Sequence, residues 1–349
     1  MKILLLGDYS GVHFNLKQGL SALGHQVVLA SDGDSYKDLP KDFVIAPFKG
    51  RVWGKPLNIL YLFLNVRKII GYDVVQFISP FALPYYYYFA GIYHILCRLN
   101  KQVVYYACAT DPAYLTLKNR FKYFPFDASN LNELPDFNRN GKQRIYRYFL
   151  KMVHKIIPSF YTYAIGYSGN KKLKKAIPLP GAGDYVTKVR PVKGKIKILF
   201  GITRRGFKGA DYILQALDRI KKKYESEVDI TIVERLSLAV YTKLLEDCDV
   251  LIDQCKSYGY GMNAIFAMEK GVVVLSGSEK IEMDFLGVDS PAVLNIDPDV
   301  GQIEETLSSL IKNKDQFNLM KKNSLDQARR FHDPKLVAAN FIESYLQDS

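Results

Sequence analysis

Residues 196–209 read IKILFGITRRGFKG. Ile196, Ile198, Leu199 and Phe200 form an apolar run of strand character, and Gly201 offers no side chain to hinder a sharp turn or a close ligand. Helical spacing resumes at Ile213, Leu214, Leu217 and Ile220. Between strand and helix lie Arg204, Arg205 and Lys208, followed by Gly209. Open α/β sheets bind ligands at the carboxyl ends of their strands, and N–H groups at a helix start face anions. The expected anion is a phosphate or diphosphate. A basic surface loop would read the same from this stretch alone.

Working downstream, the alternation continues: strands at 228–233, 250–252, 272–275 and 292–294, with helices at 238–245, 262–270, 279–286 and 303–312 between and after them. This is the pattern of a parallel α/β domain. Within it, residues 253–277 read DQCKSYGYGMNAIFAMEKGVVVLSG. A strand ends at Asp253, a loop supplies Tyr258, Gly259, Tyr260 and Gly261, and a helix starts near Met262 and Asn263. Its first amides form a second anion seat beside the one at Arg204 and Lys208. Two seats on neighbouring strand ends suit a diphosphate.

Working upstream, PLPGAGDYVTKVRPVKGK at 178–195 has prolines, glycines and no periodicity, and reads as a linker. Before it the same alternation runs from the first strand, 2–6, through a loop GDYSG ending at Gly11, which reads as a cradle for a phosphate or sugar, or as a plain turn. The helix that follows carries His13 in its first turn. Strand 103–108 opens into Ala109, Thr110, Asp111 and Pro112; Asp111 is a site candidate at a strand end, or a turn initiator. Residues 114–140 are rich in aromatics and lack a period, as in an acceptor-binding segment or an irregular loop. A basic helix over 142–157, with Tyr146, Phe149, Val153 and Ile156 on one side, either lies on an anionic membrane surface or packs one face and solvates the other. A short strand is expected at 162–165, and helices 314–331 and 333–347 end the chain.

A chain of 349 residues suggests two domains, and 48% hydrophobic residues are enough for two cores. The net charge of +13 calls for anionic partners. The cations are scattered over several helices without a zinc-finger, RNP or helix-turn-helix pattern, which argues against nucleic acid. Cys97, Cys108, Cys248 and Cys255 have no CxxC spacing and suit reduced thiols in the cytoplasm. MKILLLGD meets Asp8 too soon for a signal peptide, and no apolar window is long enough to span a membrane.

Taken together, these stretches resemble the GT-B glycosyltransferases, specifically the retaining, family-4-like group 1 transferases, over essentially the whole chain and most strongly over 196–277. The resemblance implies two Rossmann-like parallel α/β domains facing a central cleft: an acceptor-side domain at 1–180, a nucleotide-sugar donor domain at 190–332, and a final helix, 333–349, packed back on the first. It implies metal-independent hexosyl transfer with retention, from a nucleoside-diphosphate sugar to a saccharide or lipid-linked acceptor, in surface polysaccharide synthesis. No cofactor beyond the donor is implied, and the cytoplasmic side of a membrane is the expected location. A sugar-nucleotide epimerase and a non-catalytic sugar-nucleotide-binding homologue are the other readings.

Residue by residue, Arg204 and Lys208 take the family's arginine and lysine roles on the diphosphate, with Gly201 and Gly209 framing the loop and Arg205 a rival for the arginine role. Backbone near Arg235 and Leu236 would meet the nucleobase. His13 and Asp111 would line the acceptor side, and Gly11 the first loop. One departure stands out: the family has two glutamates eight residues apart around the glycine loop, where this chain has Tyr258 and Phe266. A phenylalanine accepts no hydrogen bond from a ribose hydroxyl. Glu269, close by on the same helix, is the candidate substitute.

Overall fold

The computed structural model describes residues 1–349 except 35–38, 49, 51–52, 84–90, 128–132, 134–135, 138–140, 235, 237 and 348–349. The chain divides into two compact units. One comprises Met1–Thr116, Pro135–Pro180 and Pro334–Ser349; the other comprises Leu117–Leu134 and Gly181–Asp333.

The first unit contains β1 (Lys2–Leu6), α1 (Val12–Ala22), β2 (Gln26–Ser31), β3 (Phe43–Val44), α2 (Gly54–Leu64), β4 (Val74–Phe77), α3 (Gly91–Arg98), β5 (Gln102–Ala107), α4 (Pro112–Leu115), α5 (Lys142–Met152), β6 (Lys155–Pro158) and α6 (Tyr161–Ala164). Its sheet has the order β3-β2-β1-β4-β5-β6, with all pairings parallel. Parallel strands are covered on both faces, so they are apolar throughout instead of alternating. The KILLL strand shows this: Ile3 to Leu6 are all fully buried.

The periodicity misled at one place. Residues 142–157 were expected as one helix and 162–165 as a strand. Instead α5 stops at Met152, β6 pairs with β5 in the register Tyr105 to Ile156, and 161–164 is a helical turn. Ile156 and Ile157 are equally compatible with a helix face and a buried strand, and only the neighbouring β5 decides.

The second unit contains β7 (Ile196–Ile202), α7 (Arg205–Lys208), α8 (Ala210–Lys223), β8 (Val228–Glu234), α9 (Leu238–Asp247), β9 (Val250–Ile252), α10 (Met262–Glu269), β10 (Val273–Ser276), α11 (Lys280–Leu286), β11 (Leu294–Asn295), α12 (Val300–Lys312) and α13 (Phe317–Phe331). The strand order is β11-β10-β9-β7-β8, again all parallel. The core gathers Ile198, Phe200, Ile213, Leu217, Ile220, Ile252, Leu275 and Ile303.

The last helix, α14 (Pro334–Leu346), belongs to the first unit. Gly19 on α1 lets it approach, since a Cβ there would meet the Pro334 carbonyl oxygen at 1.9 Å. Buried Lys155 donates to the carbonyls of Ser344 and Tyr345, at 2.8 and 3.0 Å, which puts its charge on the negative end of α14.

Candidate functional site

In the second unit, chain order and spatial order part company between β7 and β9: β8 lies on one side of β7 and every later strand on the other. Such a switch point opens a crevice at the carboxyl ends of its strands. The residues just beyond those ends are Thr203 and Arg204 after β7, and Asp253 after β9.

Lys208 spans the two ends. Its side chain is buried, and Nζ donates to the Gly201 carbonyl at 3.1 Å and to Asp253 Oδ1 at 2.9 Å. The same Oδ1 accepts from Asn263 Nδ2 at 3.0 Å. The Cys255 amide donates to the Lys208 carbonyl at 3.0 Å. One carboxylate therefore knots the basic loop to the start of α10. No side chain caps α10 at Gly261, so the amides of its first turn are presented for an anion.

Two glycines are dictated here. Gly209 has φ +71°, and a Cβ on it would lie 2.4 Å from Cys255 Sγ. Gly209→Ala is expected to lower the unfolding free energy by about 2–4 kcal/mol, left-handed strain adding to overpacking, as read from a urea titration. Gly201 lies within β7 and makes no sharp turn; it leaves room for the Tyr241 ring, whose atoms would be 2.9 Å from a Cβ.

Arg204 precedes α7 in extended backbone, with its guanidinium over the Phe207 ring at 3.6 Å. Arg205 is committed elsewhere: Nε and Nη2 donate to Asp211 at 3.0 and 2.7 Å, and Glu234 is 4.0 Å away. Leu236 is exposed, and Arg235 lies outside the described residues.

The sequence reading places a loop here and a helix start after it; the structure inserts the turn α7, whose first amides already face an anion. Glu133 accepts from the Gly206 and Phe207 N–H groups at 2.9 and 2.8 Å. It belongs to residues 117–134, which lie ahead of the linker in sequence but pack in this unit. The same segment lies against the glycine loop. Tyr258 accepts the Lys122 N–H at 2.8 Å, and its ring centroid lies 4.9 Å from Phe121 and 5.0 Å from Tyr123. Tyr123 donates to Glu279 at 2.6 Å, Lys256 pairs with Asp127, and Phe126 meets Phe207 edge-on. No sequence signal pointed to these contacts, because the segment has no period and its partners lie more than 70 positions away.

Other candidates serve the fold. Tyr260 is buried against α13 and the residue after it, its hydroxyl 3.0 Å from His332 Nε2 and accepting from Gln327 at 3.0 Å. Glu269 is buried and accepts from the Gly183 amide at 2.8 Å, clamping the former linker. Its burial and this backbone bond set it apart from the exposed carboxylate expected to replace Phe266. Burial pushes its carboxyl up to about 7 from an ordinary 4.5. The folded state then binds a proton that the unfolded state has released, so stability should fall as pH rises from about 4.5 to about 7 and level off above. Glu269→Gln is expected to remove roughly 3 kcal/mol of that decline, as seen in melting curves across this range.

In the first unit, His13 is fully buried. Desolvation lowers its pKa to about 3, so it is neutral; Nδ1–H donates to the Gly7 carbonyl at 2.7 Å, and Nε2 accepts from Gln76 at 3.2 Å. Asp111 is equally buried and accepts from Tyr105 and Tyr167 hydroxyls and the Tyr114 amide, at 2.6, 2.5 and 2.8 Å, capping α4. Both side chains are closed off from solvent. Gly11 starts α1 with φ +80°. Asp8, not among the site candidates read from the sequence, is buried just past the end of β1, accepts from the His13 and Phe14 amides, and is pushed up to about 6 by burial.

Among the described residues no cluster of His, Cys, Asp or Glu could hold a metal ion. Among the described residues no helix is long and apolar enough to cross a membrane.

No protein-family model matches this sequence, and no curated protein does. Solved structures do match in fold. The Anabaena protein HepE in complex with UDP superposes with a TM-score of 0.62 at 12% identity, covering 99% of each chain. WaaG, a glycosyltransferase involved in lipopolysaccharide biosynthesis, gives 0.60 at 13% identity over 100% of each chain. The UDP-GlcNAc 2-epimerase from Neisseria meningitidis is a weaker match, with a TM-score of 0.51 at 11% identity over 100% of each chain. With two parallel Rossmann-like units and these neighbours, the chain has the GT-B glycosyltransferase fold.

Proposed function

We propose that this chain transfers a hexosyl unit, with retention and without a metal, from a nucleoside-diphosphate sugar to a saccharide or lipid-linked acceptor in surface polysaccharide synthesis. The observation that carries the reading is the knot of Lys208, Asp253 and Asn263 at the β7/β9 switch point. It joins a basic loop to uncapped amides, the donor set a diphosphate needs. The UDP and UDP-glucose complexes of HepE, a protein of the same fold, support a nucleotide sugar as ligand.

In this reading the diphosphate is held by the first amides of α10 and by the Arg204 guanidinium. As the bond from sugar to phosphate stretches, negative charge gathers on the leaving diphosphate, and these fixed donors offset it. Lys208 acts by fixing Asp253 and, through it, Asn263. His13 and Asp111, both enclosed, act by shaping the first unit. The four cysteines are free thiols, which supports a reducing compartment and hence the cytoplasmic side of a membrane.

A second reading has one observation in its favour: Tyr258 and Phe266 supply no carboxylate beside the glycine loop, as in a protein that binds a sugar nucleotide without transferring it. Incubation with UDP-, GDP- and ADP-sugars and a mixed acceptor panel separates the two. Release of free nucleoside diphosphate supports transfer. Calorimetric binding with no release supports the second reading, and an isomerised donor with no nucleotide released would identify an epimerase.

A further inference from the structure

The first unit carries an apolar surface that its own fold leaves uncovered. On α2, Trp53, Leu57, Leu60 and Leu64 follow one another at helical spacing of four, three and four, and are 74%, 40%, 54% and 76% exposed. Single exposed leucines are ordinary; a stripe along three turns headed by a tryptophan is not.

The opposite side of α2 is fastened down, so the stripe is not a helix waiting to dock on its own core. Leu62 is buried there. Fully buried Asn58 accepts from the Phe48 amide at 3.0 Å and donates to the Phe48 carbonyl at 2.9 Å. The Tyr61 ring stacks on Phe43 with centroids 5.6 Å apart.

Along the sequence, the charge flanking the stripe has one sign. From Phe43 to Tyr72 the sequence contains Lys49, Arg51, Lys55, Arg67 and Lys68 and no aspartate or glutamate. Arg67 and Lys68, just past the end of α2, are exposed. An apolar stripe with a tryptophan at one end and exposed cations just past the other matches an anionic lipid surface, whose headgroups meet the cations while the stripe enters the acyl boundary.

We propose that α2 is a membrane-docking helix that sets the first unit on anionic lipid through Trp53, Leu57, Leu60 and Leu64. This replaces the basic helix α5 as the point of contact. The apolar side of α5, formed by Ile145, Tyr146 and Phe149, is buried in the core, leaving Arg144, Arg147 and Lys151 to solvent and nothing to insert. The inference deepens the proposed membrane-side location but owes nothing to the transfer reaction.

Trp53 is the only tryptophan of the chain, so its emission reports on this face alone. The full-length protein is mixed with vesicles of phosphatidylcholine, with or without phosphatidylglycerol, in the absence of any sugar nucleotide. With phosphatidylglycerol present, a blue shift of the emission and co-sedimentation are expected, both weakened by salt. Leu60→Ser with Leu64→Ser is expected to lower the partition coefficient about tenfold or more without changing the circular dichroism. Arg144→Gln, Arg147→Gln and Lys151→Gln together should leave it within about twofold.

Absence of both shift and sedimentation would overturn the proposal. So would binding that is lost in the α5 variant and kept in the α2 variant. A blue shift that rises with protein concentration in lipid-free buffer, with a doubled mass by light scattering, would assign the face to a second copy of the chain instead. Because no donor is present, any of these outcomes leaves the transfer reaction to be judged on its own.

Discussion

Replacing Arg204 by alanine is expected to slow nucleotide release from the cognate sugar nucleotide about 100- to 1,000-fold, taking loss of one oxyanion donor as the model. The position argues for so large an effect. Arg204 sits at the carboxyl end of β7, beside the switch point, and its guanidinium lies over the Phe207 ring at 3.6 Å. A stacked guanidinium is pre-oriented, so little freedom is lost when it meets a diphosphate. The same geometry predicts a small stability effect: losing the cation–π contact costs about 0.5–1 kcal/mol, or roughly 1–4 °C in melting temperature for a unit of this size. Arg204→Lys should fall between the two, since it keeps the charge and loses the planar fork. Equal turnover in all three proteins would remove Arg204 from the site.

Lys208→Met is expected to act mainly on stability, by about 3–5 kcal/mol. The ammonium is buried with Asp253, and its removal leaves that carboxylate enclosed with Asn263 as its remaining side-chain donor. The exposed cation Arg205, paired with exposed Asp211, should cost less than about 1 kcal/mol when replaced by Gln. The paired variant Lys208→Met, Asp253→Asn should recover at least half of the loss, because no charge then remains unmatched. A urea titration of the single and double variants reads this coupling directly. Additive losses would mean that Lys208 and Asp253 do not depend on each other.

The two predictions differ because of burial, which no local feature of GITRRGFKG reveals. Three cations stand within five residues there, and nothing local to them says which is buried. In the folded unit Lys208 is an internal strut, Arg205 belongs to a surface pair with Asp211, and Arg204 stands on Phe207 at the strand ends. The glycine loop divides in the same way. Tyr258 faces residues 121–123, whereas Tyr260, two positions on, turns inward to His332 and Gln327.

The α/β class, the two runs of alternating elements and the adjoining loops after β7 and β9 were legible in the linear chain, because apolar period, glycine placement and strand length are properties of contiguous residues. Which anion meets which amide was not. Glu133, more than 70 positions before Gly206, takes two N–H groups within the basic loop, and Glu269 accepts from the amide of Gly183. Such pairings depend on distances between segments that share no local signal, and a buried polar group accepts whichever partner the packing delivers. Tertiary structure alone therefore decided that His13 and Asp111 are enclosed, that α5 keeps its apolar side for the core, and that α2 shows its own to solvent.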